Sequence, residues 1–157
     1  MISSKTSFIA LIGNPVSHSL SPIMQNAALQ YLGLDLIYIA IPCKEEDLEL
    51  VLHSLKKINC KGLNITIPHK EKVFNLCNEI SPIAKKLKAI NTLKLNSEKE
   101  WSATNTDVDG FIYPLKTLNL TKKHSIVLGS GGAARSVIQG LINLNLSRIS
   151  VVSRNKS

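Results

Sequence analysis

Hydrophobic positions along this chain come in short blocks whose spacing changes from one block to the next. Phe8 to Ile12 is an unbroken apolar run of the kind a buried strand makes, and Gly13-Asn14-Pro15 ends it. Ser21-Pro22 has the cap and first-turn chemistry of a helix start; Met24, Ala27, Ala28 and Tyr31 fall on one face, and Gly33 is the stop. Leu36 to Ile41 predicts a second strand, closed by Pro42. Between Glu45 and Lys57, Leu48, Val51, Leu52 and Leu55 recur at helical spacing, with acids early and lysines late, as the helix dipole favours. Leu63 to Ile67 predicts a third strand, Lys70 to Leu76 a short helix, and Ser81-Pro82 the start of another. Ala89 to Leu95 and Trp101 to Thr104 flank the polar Asn96-Ser97-Glu98-Lys99 and predict a hairpin.

After Asp109 the pattern predicts a helix around Phe111 to Leu118 and a polar break from Asn119 to His124. A buried strand, Ser125 to Leu128, then leads through the turn Gly129 to Gly132 into a helix, Ala133 to Leu144, and a strand, Ile149 to Val152. Strand, glycine turn, helix and strand in that order open a parallel, doubly wound sheet. The pattern divides the chain into residues 1–108 and 109–157.

Composition narrows the class. Of 157 residues, 44% are hydrophobic and 19% charged, enough for a soluble globular core, and no apolar run nears the roughly 20 residues that span a bilayer. The formal charge is +8, yet only three of the 19 basic residues are arginine and aromatics make up 4%, so stacking and two-pronged phosphate contacts are scarce. The expected partner is a small molecule, with no nucleic acid and no membrane; a homodimer stays open. The three cysteines form no C-x-x-C pair and read as reduced core thiols, and His18, His53, His69 and His124 show no metal spacing, so no metal is expected.

Gly129-Ser130-Gly131-Gly132-Ala133-Ala134 fits G-x-G-x-x-A between a strand and a helix. Glycines there let backbone N–H groups and the positive helix end approach a pyrophosphate. A site for NAD would carry an acid at the end of the next strand, but Ser153 is followed by Arg154, Asn155 and Lys156. A guanidinium at that place suits a 2′-phosphate, so the expected cofactor is NADP.

Three further segments carry polar residues beside predicted strand ends, the edge where open α/β sheets bind ligands. They are Gly13 to Pro22, Asn64 to Lys70, and Asn91-Thr92 with Asn105 to Gly110. Ser19 and Ser21 offer hydroxyls, Asn64 and Thr66 share one strand face, and Lys70 follows; together they suit a small polyhydroxylated acid. Taken singly, Ser21 also reads as a helix cap and Lys70 as a surface lysine.

With these segments together, the chain resembles the shikimate/quinate dehydrogenase family along its whole length. The resemblance rests on the loop Gly13 to Pro22, the N-[VI]-T-x-P-x-K motif from Asn64 to Lys70, the N-T-D motif Asn105-Thr106-Asp107, and G-x-G-G-A-x-R from Gly129 to Arg135. Ser130 and Ser153 depart from the alanine and asparagine usual at their positions. The resemblance implies an α/β fold, an N-terminal substrate domain followed by the beginning of a Rossmann-like NADP-binding domain, truncated at the C-terminus. It implies that Lys70 and Asp107 form the catalytic pair, that Ser19, Ser21, Asn64, Thr66, Asn91 and Asp107 hold substrate, and that Gly129 to Ala133 and Ser153 to Lys156 hold NADP. The implied reaction is reversible reduction of 3-dehydroshikimate to shikimate in cytoplasmic aromatic amino acid biosynthesis. The alternatives are a non-catalytic shikimate-binding module and a quinate dehydrogenase.

Overall fold

The computed structural model describes residues 2–58, 60–120 and 122–154. Asn155 and Lys156, expected at the cofactor, lie outside the described residues.

The apolar runs form strands β1 (Ser7–Gly13), β2 (Leu36–Pro42) and β3 (Cys60–Ile65). A short strand β4 (Glu79–Ile80) and the predicted hairpin, β5 (Thr92–Leu95) and β6 (Trp101–Thr104), complete a six-stranded mixed sheet in the order β2-β1-β3-β5-β6-β4. β1 pairs in parallel with β2 and β3; β5 runs antiparallel to both β3 and β6. Helices α1 (Ser21–Tyr31), α2 (Leu48–Lys57), α3 (Pro82–Leu87) and α4 (Asp107–Ile112) connect these strands and leave the sheet. β7 (His124–Leu128), α5 (Gly132–Asn143) and β8 (Arg148–Val152) then form the expected parallel unit as a separate two-stranded sheet. Among the described residues no helix is long and apolar enough to cross a membrane.

The main core lies on one face of the larger sheet. Ala10, Ile12, Leu63, Ile65 and Leu93 from the strands meet Leu48, Leu52 and Leu55 of α2. Trp101 closes it, donating its indole N–H to the Leu52 carbonyl at 3.0 Å. Leu11, Val16, Leu29 and Tyr38 pack on the other face. Cys43, Cys60 and Cys77 are buried free thiols, in line with the sequence reading.

Several elements depart from the pattern. In α1 the face bearing Met24, Ala27, Ala28 and Tyr31 points outward, and Leu29 is the buried residue. Asn26 sets that rotation. Its Oδ1 accepts the Tyr38 N–H and its Nδ2 donates to the Tyr38 carbonyl, both at 2.8 Å, which pins the Asn26–Leu29 side of α1 to the edge strand β2. Ser21 is the first helical residue and not the cap; Leu20 holds that place, and the Ser21 N–H donates to Ser19 Oγ at 3.2 Å. Ser81 does cap α3, accepting the Ala84 N–H. Residues 70–76 tighten to a 3₁₀ turn, Lys72–Leu76. α4 begins four residues before Phe111 because Asn105 Oδ1 takes the Asp107 N–H, and it gives way at Tyr113 to a 3₁₀ turn through Pro114, which has no N–H to continue the ladder. The predicted burial of β7 holds only for Val127; Ile126 and Leu128 are exposed, because α5 covers one face of a two-stranded sheet.

Candidate functional site

Three polar loops meet at the C-terminal ends of β1 and β3, and glycine explains how closely. A Cβ on Gly13 would lie 2.3 Å from Thr66 Cγ2 and 2.9 Å from the Ile67 carbonyl, so the β1 loop touches the β3 loop only with hydrogen at that position. The contact is locked by backbone bonds from Asn14 N–H to the Ile67 carbonyl and from Thr66 N–H to the Ile12 carbonyl, both at 2.9 Å.

Lys70 follows on this loop. Its carbonyl accepts the Ile90 N–H at 2.8 Å, and its half-buried Nζ lies 2.5 Å from Asp107 Oδ2, a charge-assisted bond between motifs 37 residues apart. Asn91, buried between them, donates from Nδ2 to Asp107 Oδ1 at 2.7 Å and to Thr106 Oγ1 at 3.0 Å. The Thr106 N–H donates back to Asn91 Oδ1 at 2.9 Å, which fixes the amide orientation. In the N-T-D segment, therefore, Asp107 faces the lysine, whereas buried Asn105 does structural work: its Nδ2 bonds the Ala89 carbonyl and its Oδ1 receives the Ser136 hydroxyl of α5.

The network continues outward. Thr92 Oγ1 donates to Asn91 Oδ1 at 2.8 Å, Asn64 Nδ2 points at Thr92 Oγ1 at 3.5 Å, and the Tyr38 hydroxyl donates to Asn64 Oδ1 at 2.7 Å. Ser21 lies beside the same phenol and counters part of the rise in pKa that burial gives it. Asn64, Asn91, Asp107 and Lys70, all singled out from the sequence, therefore lie along one polar strip. Thr66 lines the adjoining cavity with Lys70, Ser21 lies beside the Tyr38 phenol at the far end, and Ser19 accepts the Ser21 N–H. Tyr38 and the pairing roles of Thr92 and Thr106 were not foreseen. The available signal for Tyr38 was one hydroxyl-bearing residue inside the apolar run of β2.

The glycine turn faces this strip across a cavity of about 430 Å³, lined by Thr66, Pro68, Lys70, Leu128, Gly131 and Ala133 among others. Larger hollows of about 510 and 630 Å³ flank α1 and α2; Lys56, which lines the second, pairs at 2.6 Å with the more exposed Glu100, away from any glycine turn. Gly129 has φ +113°, a conformation that favours glycine, and Gly131, at the cap of α5, opens onto free space. A Cβ on Gly132 would instead lie 3.5 Å from Lys70 Cβ, so α5 begins in contact with the lysine stem. Arg135 binds the halves together, its guanidinium donating to Glu71 Oε2 at 2.9 Å and to the Leu87 carbonyl at 3.3 Å.

The turn fits a dinucleotide. The first turn of α5 carries no acid, Gly131 puts no side chain in the path of a phosphate, and the Gly129 N–H donates to the Val152 carbonyl, which sets the end of β8 beside the turn. Ser153 and exposed Arg154 follow directly. Ser130 is exposed. Among the described residues no group of three or more His, Cys, Asp or Glu side chains could hold a metal ion.

A mixed α/β sheet whose strand ends carry a lysine–carboxylate pair, opposite a glycine turn at a helix start, defines a two-part ligand-binding α/β protein. The chain belongs to the family of the shikimate dehydrogenase substrate binding domain, whose family model matches residues 11–93. Among curated relatives, a shikimate dehydrogenase (NADP(+)) of Prochlorococcus marinus (strain MIT 9215) is 92% identical over all of this chain, and one of Nostoc sp. (strain PCC 7120 / SAG 25.82 / UTEX 2576) is 43% identical over 99% of it. The chain spans 55% and 54% of their lengths, about half. Among solved structures, shikimate dehydrogenase from Aquifex aeolicus matches with TM-score 0.94 at 36% identity, over 100% of this chain and 59% of that one. Shikimate 5-dehydrogenase from Thermus thermophilus, in complex with NADP(H) and shikimate, matches with TM-score 0.87 at 35% identity, over 95% and 56%.

Proposed function

We propose that this chain supplies the substrate side and the start of the cofactor side of an NADP-dependent shikimate dehydrogenase, which reversibly reduces 3-dehydroshikimate to shikimate in aromatic amino acid biosynthesis. Residues 1–108 are read as the substrate side and 109–157 as the start of the dinucleotide side, with α4 spanning the division. The observation that carries the reading is the Lys70–Asp107 pair, 2.5 Å apart, at the wall the strip shares with the glycine turn. The names of the relatives and the NADP(H)–shikimate complex of the Thermus protein support it. The reading is of a cytoplasmic enzyme; a homodimer is a separate question for sedimentation.

In this reading Ser19, Ser21, Asn64 and Thr66 hold the carboxylate and hydroxyls of the ring, and Asn91 with Asp107 holds a hydroxyl near the reacting carbon. Backbone N–H groups of Ser130 to Ala133 hold the pyrophosphate, on a turn that Gly129 shapes and ties to the end of β8, and Arg154 holds the 2′-phosphate. When bound, the nicotinamide supplies the hydride. Negative charge then develops on the carbonyl oxygen of the substrate; the Lys70 ammonium stabilises it and donates a proton to it. Asp107, fixed by Asn91, aims the lysine and accepts the neighbouring substrate hydroxyl.

The test joins this chain to the C-terminal half of its 92%-identical relative and follows NADPH oxidation with 3-dehydroshikimate. Lys70→Ala is expected to lower turnover by on the order of 10²–10⁴-fold with little change in shikimate affinity. Unchanged turnover rejects the assignment. The 157 residues alone, given NADPH and 3-dehydroshikimate and, in parallel, shikimate in a calorimeter, decide the second reading: binding without turnover makes this segment a binding module. Quinate in the same assay decides between the two substrates.

A further inference from the structure

We propose that Tyr38 is a positioning residue, whose hydroxyl reaches from β2 across β1 and fixes the Asn64 amide so that Asn64 presents N–H donors to the polar strip. The proposal rests on the reading of Asn64 as a substrate ligand. Tyr38 is 3% exposed, packed against Leu11, Val16 and Leu29, with its backbone clamped on both sides by Asn26. β1 lies between its strand and that of Asn64. The phenol spans that gap to donate to Asn64 Oδ1 at 2.7 Å.

An asparagine amide turned by half a revolution exchanges its oxygen and its NH₂ with almost no change of shape, so only its partners decide which end faces a ligand. Both partners of Asn64 match the same end. Burial pushes the Tyr38 phenol up to about 12, against an opposing pull from Ser21, so it keeps its proton at neutral pH, and that proton goes to Asn64 Oδ1 at 2.7 Å. On the other side the Thr92 hydroxyl already donates to Asn91, which leaves its oxygen to accept from Asn64 Nδ2. The donor direction runs unbroken from Tyr38 through Asn64, Thr92 and Asn91 to the Asp107 carboxylate, where it meets Lys70. One N–H of Asn64 is left for the ligand, which must bring an oxygen acceptor to it.

The test compares the 157-residue chain with its Tyr38→Phe variant, which keeps the buried ring. In ¹H–¹⁵N spectra the Asn64 side-chain NH₂ pair is expected to shift in the variant while backbone amides of β1 and β3 stay in place. Titrated with shikimate, Tyr38→Phe is expected to raise Kd about fivefold, the net worth of one neutral hydrogen bond. In an Asn64→Ala background it should add no further loss. An unmoved Asn64 signal, an unchanged Kd, or the same loss in the Asn64→Ala background overturns the proposal. If the parent chain binds no shikimate, the substrate reading fails and the Asn64 signal alone decides. Should Tyr38→Phe not fold, the parent chain decides: a protected Tyr38 hydroxyl proton close to the Asn64 amide supports the role, and a freely exchanging one overturns it.

Discussion

Cys60 and Cys77 show how completely the fold withdraws a reactive group. Burial pushes both thiols up to about 11, with the Gly62 carbonyl accepting from Cys60 and the Lys56 charge pulling Cys77 slightly the other way. The thiolate is the nucleophile, so a disulfide reagent at about pH 8 is expected to modify these two roughly two orders of magnitude more slowly than free cysteine. Release of the thiols should then follow unfolding; fast labelling of the folded chain would contradict the burial. The odd number and spacing of the cysteines made this legible without a structure. Tyr38 was not legible, because no linear spacing tells which side chain of an edge strand bridges the strand beside it. Asn105 marks the same boundary: the motif drew attention to it, but only the fold separates its work of tying α4 and α5 together from the role proposed for Asp107 two residues on.

At the scale of elements, the apolar runs of β1 and β2, ended by Gly13 and Pro42, were found where expected, since those residues stop strands by their own backbone chemistry. β3 instead runs from Cys60 to Ile65, three residues earlier at its start and two short of the expected end at Ile67. The orientation of α1 was not, because one buried Asn26–Tyr38 clamp outweighs a weakly apolar face. Packing also decides the sign of a substitution in α5. Alanine is the better helix former by about 1 kcal/mol, which argues for Gly140→Ala. A Cβ there would lie 2.6 Å from Phe111 Cδ1 and 3.3 Å from Ile112 Cγ1, at the contact between α4 and α5. Gly140→Ala is expected to destabilise by about 1–3 kcal/mol in urea unfolding, and Phe111→Ala in the same chain should take up part of that loss. A net gain in stability would mean that the two helices part easily.

Across the whole molecule, order is unevenly backed. β1, β3 and β5 lie inside a six-stranded sheet with apolar side chains on both faces, whereas β7 and β8 pair only with each other and leave Ile126, Leu128 and Val152 exposed. Two-stranded sheets are marginal by themselves. Amides of Val127 and Leu128 are therefore expected to exchange with solvent orders of magnitude faster than those of Ala10 and Leu63, measured by mass spectrometry or NMR. Equal protection would show that α5 and its contacts hold both sheets as one cooperative unit. The close fit of Gly132 beside Ala89 and the stem of Lys70 has a consequence for heredity. A side chain at 132 would press first on Ala89 Cβ, at 3.3 Å, and meet the Lys70 stem at an ordinary 3.5 Å. Positions 89 and 132 therefore share one small space beside the lysine and cannot drift independently. In a library randomised at both, function should survive in correlated pairs.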